Sequence, residues 1–134
     1  KYMVDIDATN LKTKWQQVKF DENIYCDAKQ FIRILSGELK RRENTNKKAK
    51  IINDKIDSAD DFVTSRILWL DGLEIGKNKG SGVDSYDRYI YIHGTHEEGL
   101  IGQKASHGCI RMFNQDVIYL YEKVKEGTKV FIRT

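Results

Sequence analysis

One stretch of the 134-residue chain carries the apolar period of a helix, and nearly every other periodic stretch carries that of a strand. In QDVIYLYEKVKEG, Val117, Leu120, Tyr121 and Val124 recur at helical spacing, with Asn114 as the candidate N-cap and Gly127 as the stop. YMVDID, QFIRILSG, DFVTSRILWL, RYIYIHG and TKVFIRT alternate or are rich in β-branched and aromatic residues, and KAKIINDKI is a weaker strand of the same kind. The chain contains no proline, so glycine, asparagine and aspartate punctuate it. GLEIGKNKGSGVDSYD is glycine-rich and is expected to be a loop that follows the Asp71–Gly72 turn. A mainly β fold with one clear helix is the expectation. The length suits a single domain over residues 1–134.

Composition narrows the function classes. No apolar run approaches 18 residues, so no membrane span is expected in this chain. KYMVDID at the start has no basic head followed by an apolar run, so no leader peptide is expected within it. The formal charge of +3 is too small to imply a nucleic-acid partner. Most of the excess lies in KRRENTNKKAK, residues 40–50, with six basic residues against one acid. This run is expected to be a solvated loop. The sharper alternative is a patch for an anionic polymer, but the run lacks the aromatic residues that stack on bases. No nucleic-acid partner is assigned, and the oligomeric state is left open.

All three histidines and one of the two cysteines fall in YIHGTHEEGLIGQKASHGCIRM, residues 91–112. Strict alternation in RYIYIHG puts Tyr89, Tyr91 and His93 on one face of a strand and leaves His93 at its end. A thiol is a strong nucleophile only as a thiolate and needs a basic or cationic neighbour. Cys109 follows His107 by two residues and precedes Arg111 by two, so in an extended segment all three share a face. Gly108 permits a sharp turn in which backbone N–H groups converge, as an oxyanion hole requires. His93 is the candidate base. Other assignments stay open at this level: Cys109 as a buried core cysteine, a Cys26–Cys109 disulfide, surface histidines, or zinc held by His93, His96, His107 and Cys109.

The order YIHGT, a short loop, LIGQKASHGCIRM, a helix and GTKVFI resembles the catalytic half of the L,D-transpeptidase (YkuD-type) family. The interval of fourteen residues between His93 and His107, and the Ile110–Arg111 tail after SHGC, agree with the family motif. The likeness runs from about Phe62 to Ile132. The family's Thr-Pro-x-Gly segment is absent, so the N-terminal half, residues 1–60, is expected to be divergent or incomplete.

The resemblance implies a YkuD-like antiparallel β-sandwich or flattened barrel with one or two helices. It implies that Cys109 is the acylated nucleophile and that His93 is its base, oriented by the Gly94 carbonyl. His107, Gly108 and Cys109 would form the oxyanion turn, Ser106 would brace that turn, and Arg111 would face the acidic peptide stem. His96, Glu97 and Glu98 fall in an interval that varies among members and carry no assigned role. The implied activity is acyl transfer on peptidoglycan stem peptides, with carbapenems as acylating agents and no metal or organic cofactor. Trimming of stems as an L,D-carboxypeptidase and a non-catalytic wall-binding module are the alternatives. The implied location is the periplasm or cell envelope.

Overall fold

The computed structural model describes residues 3–7, 36–103, 105–106 and 108–133. Among the described residues six strands form one sheet: β1 (Met3–Asp7), β2 (Ser36–Asn44), β3 (Val63–Gly72), β4 (Tyr91–Thr95), β5 (Ile110–Met112) and β6 (Lys129–Arg133). One α-helix, α1 (Asn114–Lys123), is found among the described residues. The strand order is β1-β6-β2-β3-β4-β5. Every pairing is antiparallel except that of β4 with β5, so the sheet is mixed, and it curls into a half-barrel. The mainly β, mainly antiparallel expectation is met, with β4 and β5 as the one parallel pair among the described strands. A parallel pair needs a crossover rather than a tight hairpin. The crossover here is the histidine–cysteine interval itself, residues 96–109.

The sheet buries one face against α1. Leu39, Leu68, Leu70, Ile90, Ile92, Ile110, Met112 and Val130 meet Val117, Leu120 and Val124 in a single apolar cluster, with Tyr121 packed at its margin. The spacing of those helix residues is the one read from the sequence. Asn114 is the first helical residue rather than the cap, and Phe113 occupies the cap position without a side-chain bond. The Asn114 side chain works across the fold instead. Its Oδ1 accepts from Thr64 Oγ1 at 2.6 Å and from Ser65 Oγ, and its Nδ2 donates to the Thr95 carbonyl at 2.7 Å and to Glu98 Oε1 at 2.8 Å. Ser65 lies in a break of register between Thr64 and Ile67 and adopts φ 60, a left-handed conformation uncommon outside glycine.

Three expectations shift. The basic run is not wholly a loop, because residues 40–44 lie in β2, paired with β3. Two of its guanidinium groups lie over aromatic rings, Arg42 at 4.2 Å from the Tyr121 centroid and Arg41 at 5.8 Å from that of Trp69. KAKIINDKI is not a strand: it joins the rest through Ile52, whose N–H donates to the His96 carbonyl at 2.8 Å and whose carbonyl accepts from Gly99 N–H at 2.9 Å. β4 begins at Tyr91 rather than at Arg88, because Tyr89 turns into the left-handed region at φ 57. In QFIRILSG only Ser36 and Gly37 fall among the described residues.

The loop between β3 and β4 is glycine-rich, as expected, but it is held by buried polar groups. Asn78 donates to the Ser36 carbonyl and accepts from Glu74 N–H, both at 2.8 Å. Asp84 accepts from the N–H groups of Gly80 and Tyr86 at 3.1 and 2.9 Å. A side chain at Gly72 would place its Cβ 2.0 Å from the Asn78 carbonyl oxygen, so the close approach there requires glycine. This scaffold fixes the segment that leads into residues 88–90, which line the site described next.

Candidate active site

β5 carries the site by simple alternation. Ile110 and Met112 enter the core, and Arg111 between them points to the other face, with Cys109 just ahead of the strand. In the parallel pair His93 stands opposite Arg111 and Ile92 opposite Ile110. His93, Cys109 and Ser106 therefore meet at one cavity of about 430 Å³, together with Asp61, Val63, Arg88, Tyr89, Ile90 and Tyr91.

His93 is 2% exposed, and its Nδ1 lies 2.7 Å from the Gly94 carbonyl oxygen. A carbonyl only accepts, so Nδ1 carries the proton and Nε2 of the neutral ring is left as the basic nitrogen. Burial holds the imidazole below its ordinary pKa, against the upward pull of the Gly94 carbonyl and Asp61. The ring is thus neutral at pH 7. Gly94 is also required for space, because an added Cβ would lie 2.5 Å from Asn114 Oδ1 and 2.8 Å from the Thr64 carbonyl oxygen.

The Cys109 thiol is partly exposed and donates to the Tyr89 carbonyl at 3.3 Å. The left-handed backbone of Tyr89 aims that carbonyl, and its ring stacks on Trp69 with centroids 5.4 Å apart. Burial raises the thiol pKa, a backbone hydrogen bond from Tyr91 lowers it, Asp61 raises it and Arg111 lowers it, leaving it above its ordinary value. The resting group at neutral pH is therefore the thiol, and it needs a base.

Ser106 Oγ donates to the Cys109 carbonyl at 2.6 Å and accepts from Gly108 N–H at 3.3 Å, closing a short loop around the turn. Gly108 has φ 137, in the left-handed half of the map that favours glycine. His107 and Cys26 lie outside the described residues.

Arg111 is placed differently from the expectation. It is 6% exposed, with Nη1 2.9 Å from Glu97 Oε2 and Nη2 2.7 Å from Asp61 Oδ1. Its charge is already met by two carboxylates. Glu97, 1% exposed, also accepts from the N–H and hydroxyl of Ser58 at 2.6 and 2.7 Å. His96 is buried too, 3.1 Å from Ser58 Oγ and against the Phe62 ring at 4.8 Å between centroids. The first part of the interval, from His96 to Leu100, is therefore packed into the fold. It locks residues 52–61 to the back of the site. Asp61, Arg88, Tyr89 and Tyr91 were not singled out as site residues from the sequence. The last three sit just ahead of His93, and their nearness in sequence was the available signal. Asp61 gave none.

Among the described residues no helix is long and apolar enough to cross a membrane. A model of the YkuD family, the L,D-transpeptidase catalytic domain, matches residues 7–132. The chain is similar to "Probable L,D-transpeptidase YbiS" of Escherichia coli, 49% identical over 43 residues that make up 32% of this chain and 14% of that protein. It is also similar to "Probable L,D-transpeptidase ErfK/SrfK" of Escherichia coli and of Salmonella typhimurium, 47% identical over 45 residues in each. That stretch is 34% of this chain and covers 14% and 15% of those proteins. The match thus spans only a small part of each relative's length. No solved structure matches the chain significantly. With the family model matching nearly from end to end, the chain belongs to the YkuD family of L,D-transpeptidase catalytic domains.

Proposed function

We propose that the protein is an acyltransferase that uses Cys109 as its nucleophile on peptidoglycan stem peptides, outside the inner membrane. The observation that carries the reading is the convergence of a neutral, oriented His93 and a protonated Cys109 on one cavity. His93 Nε2 takes the thiol proton as sulfur attacks the carbonyl of the third stem residue, a diamino acid. The carbonyl electron pair moves to oxygen, where the N–H groups of the 107–109 turn are the candidate donors. Collapse of the tetrahedral adduct breaks the C–N bond. The His93 imidazolium returns its proton to the departing amine of the terminal D-alanine, and a thioester remains on Cys109. An amine of a second stem then attacks the thioester, His93 accepts that amine's proton, and the sulfur leaves. A transpeptidase differs from an L,D-carboxypeptidase only in whether amine or water takes this last step.

Ser106 braces the turn, and Arg111 positions it: a guanidinium held by Glu97 and Asp61 fixes β5 beside β4. Incubation with purified disaccharide tetrapeptides, read by mass spectrometry, tests the reading. A cross-linked dimer with loss of D-alanine supports transpeptidation, and a shortened monomer supports the carboxypeptidase. No change in mass, with no adduct on Cys109 from a carbapenem, would leave the non-catalytic wall-binding module.

A further inference from the structure

The cavity beside Cys109 is lined by an arginine other than Arg111, and among the described residues it lacks the partners that Arg111 has. Arg88 lines the cavity together with His93 and Cys109. Its Nη1 is shut off from solvent and, among the described residues, has no hydrogen-bond partner. No ion pair holds Arg88 among the described residues, and the acid that lines the same cavity, Asp61, is paired with Arg111. The backbone of Arg88 is not free to carry the side chain away. Its N–H donates to the Asp84 carbonyl at 3.1 Å, the next N–H donates to the Tyr86 carbonyl at 3.0 Å, and Trp69 stacks on both Tyr86 and Tyr89. Arg88 brings to the cavity a guanidinium that no carboxylate neutralises among the described residues, and a carboxylate entering there would meet it in a charge-assisted hydrogen bond.

We propose that Arg88 binds a free carboxylate of the acyl-donor peptide, so that Arg88 rather than Arg111 reads the charge of the substrate. The assignment rests on the acyl-transfer reading above for the identity of the peptide. The division of labour between the two arginines follows from their partners. Arg111, bound to two carboxylates, cannot take a third without releasing one, whereas no carboxylate holds Arg88 among the described residues. Asp61, the acid at the cavity, spends its charge on Arg111 and leaves the Arg88 side attractive to anions. Two carboxylates of a tetrapeptide donor are within the same chemistry: that of the departing terminal residue and that of the acidic stem residues.

Two alkylating reagents of similar size read this charge without any turnover. Iodoacetate is anionic and iodoacetamide is neutral, and both label the Cys109 thiol. Arg88→Gln is expected to lower the ratio of their rates about tenfold, Arg88→Lys to keep most of it, and Arg41→Gln, outside the cavity, to leave it unchanged. With donor peptides, Arg88→Gln is expected to lose about tenfold to a hundredfold in kcat/KM, the size of one charge-assisted hydrogen bond. Donors amidated either at the terminal carboxylate or at the stem carboxylates separate the two sources, since amidation of the one that Arg88 holds makes Arg88→Gln harmless. A reagent ratio unaltered in a folded Arg88→Gln protein would overturn the proposal, as would an equal loss on every donor. A native protein that turns over no donor at all would instead count against the acyl-transfer reading, and the reagent ratio would still decide the role of Arg88.

Discussion

Glu97 Oε2 lies 2.9 Å from Arg111 Nη1, and both side chains are almost fully buried. Removing one partner of a buried pair leaves the other charge without compensation, at a cost of about 3–5 kcal/mol. Asp61 remains on Arg111 and softens the loss, so Glu97→Ala is expected near the lower end of that range in chemical denaturation. Replacing both with apolar residues of similar volume should recover much of it. An unchanged denaturation midpoint in Glu97→Ala would mean that the pair contributes nothing to holding β5.

The same carboxylate sets an acid limit. Burial pushes the Glu97 pKa up, but the two Ser58 hydrogen bonds and Arg111 outweigh it and hold the group below its ordinary value. A carboxylate whose folded pKa is depressed contributes stability that is complete above its unfolded pKa and is lost as pH falls through the folded one. Glu97→Gln is therefore expected to unfold with a shallower dependence on pH in the acid range, measured as denaturation midpoint against pH.

Much of this fold was legible because its strands alternate and its helix does not. DFVTSRILWL, TKVFIRT and the helix face of Val117, Leu120 and Val124 could be read locally, since burial on one face writes a period into the sequence. The basic run could not. Arg41 and Arg42 shield aromatic rings contributed by β3 and α1, so a strand read as a solvated loop. The convergence of His93 and Cys109 followed from the motif and from strand parity. The pairing of Arg111 did not, because its acceptors stand 14 and 50 residues away. The strained backbone at Tyr89 was equally hidden, since nothing in RYIYIHG breaks the alternation that φ 57 interrupts.

Asn114 joins β3, β4 and the interval after His93 through four side-chain hydrogen bonds. Asn114→Ala would strand buried groups on Thr64 and Thr95, each worth about 1–3 kcal/mol when unsatisfied, while Glu98 Oε1 keeps the backbone N–H of residue 114. A loss of at least about 2 kcal/mol in chemical denaturation is expected. A loss no larger than that of an exposed helix residue, such as Tyr119→Ala, would show that water replaces Asn114 without penalty.

Rates against pH separate the thiol from its base. Burial keeps the Cys109 thiol above its ordinary pKa, so iodoacetamide labelling should keep accelerating beyond the ordinary thiol range. Thioester formation with a donor peptide needs neutral His93, whose pKa burial holds below 6.5. Its acid limb should accordingly fall below 6.5. Coincident profiles for labelling and acylation would mean that a preformed thiolate attacks and that His93 is not the base.

The two buried histidines should respond in different ways to alanine. His93 has its Nδ1 satisfied by Gly94 and its other nitrogen available at the cavity that holds Cys109. Its loss removes a general base, which typically lowers a rate by about two to four orders of magnitude. His96 instead packs on Phe62 and meets Ser58, with no place at that cavity. His96→Ala vacates a core position and loosens Ser58, so it should lower the melting temperature while acylation per folded molecule stays within a few-fold of native. His93→Ala should instead lower the rate per folded molecule by those two to four orders of magnitude, whatever the loss of its buried ring costs in stability. Acylation rates normalised to active folded protein, set beside thermal denaturation of both variants, check the pair. An equal loss of rate in the two would move the base assignment away from His93.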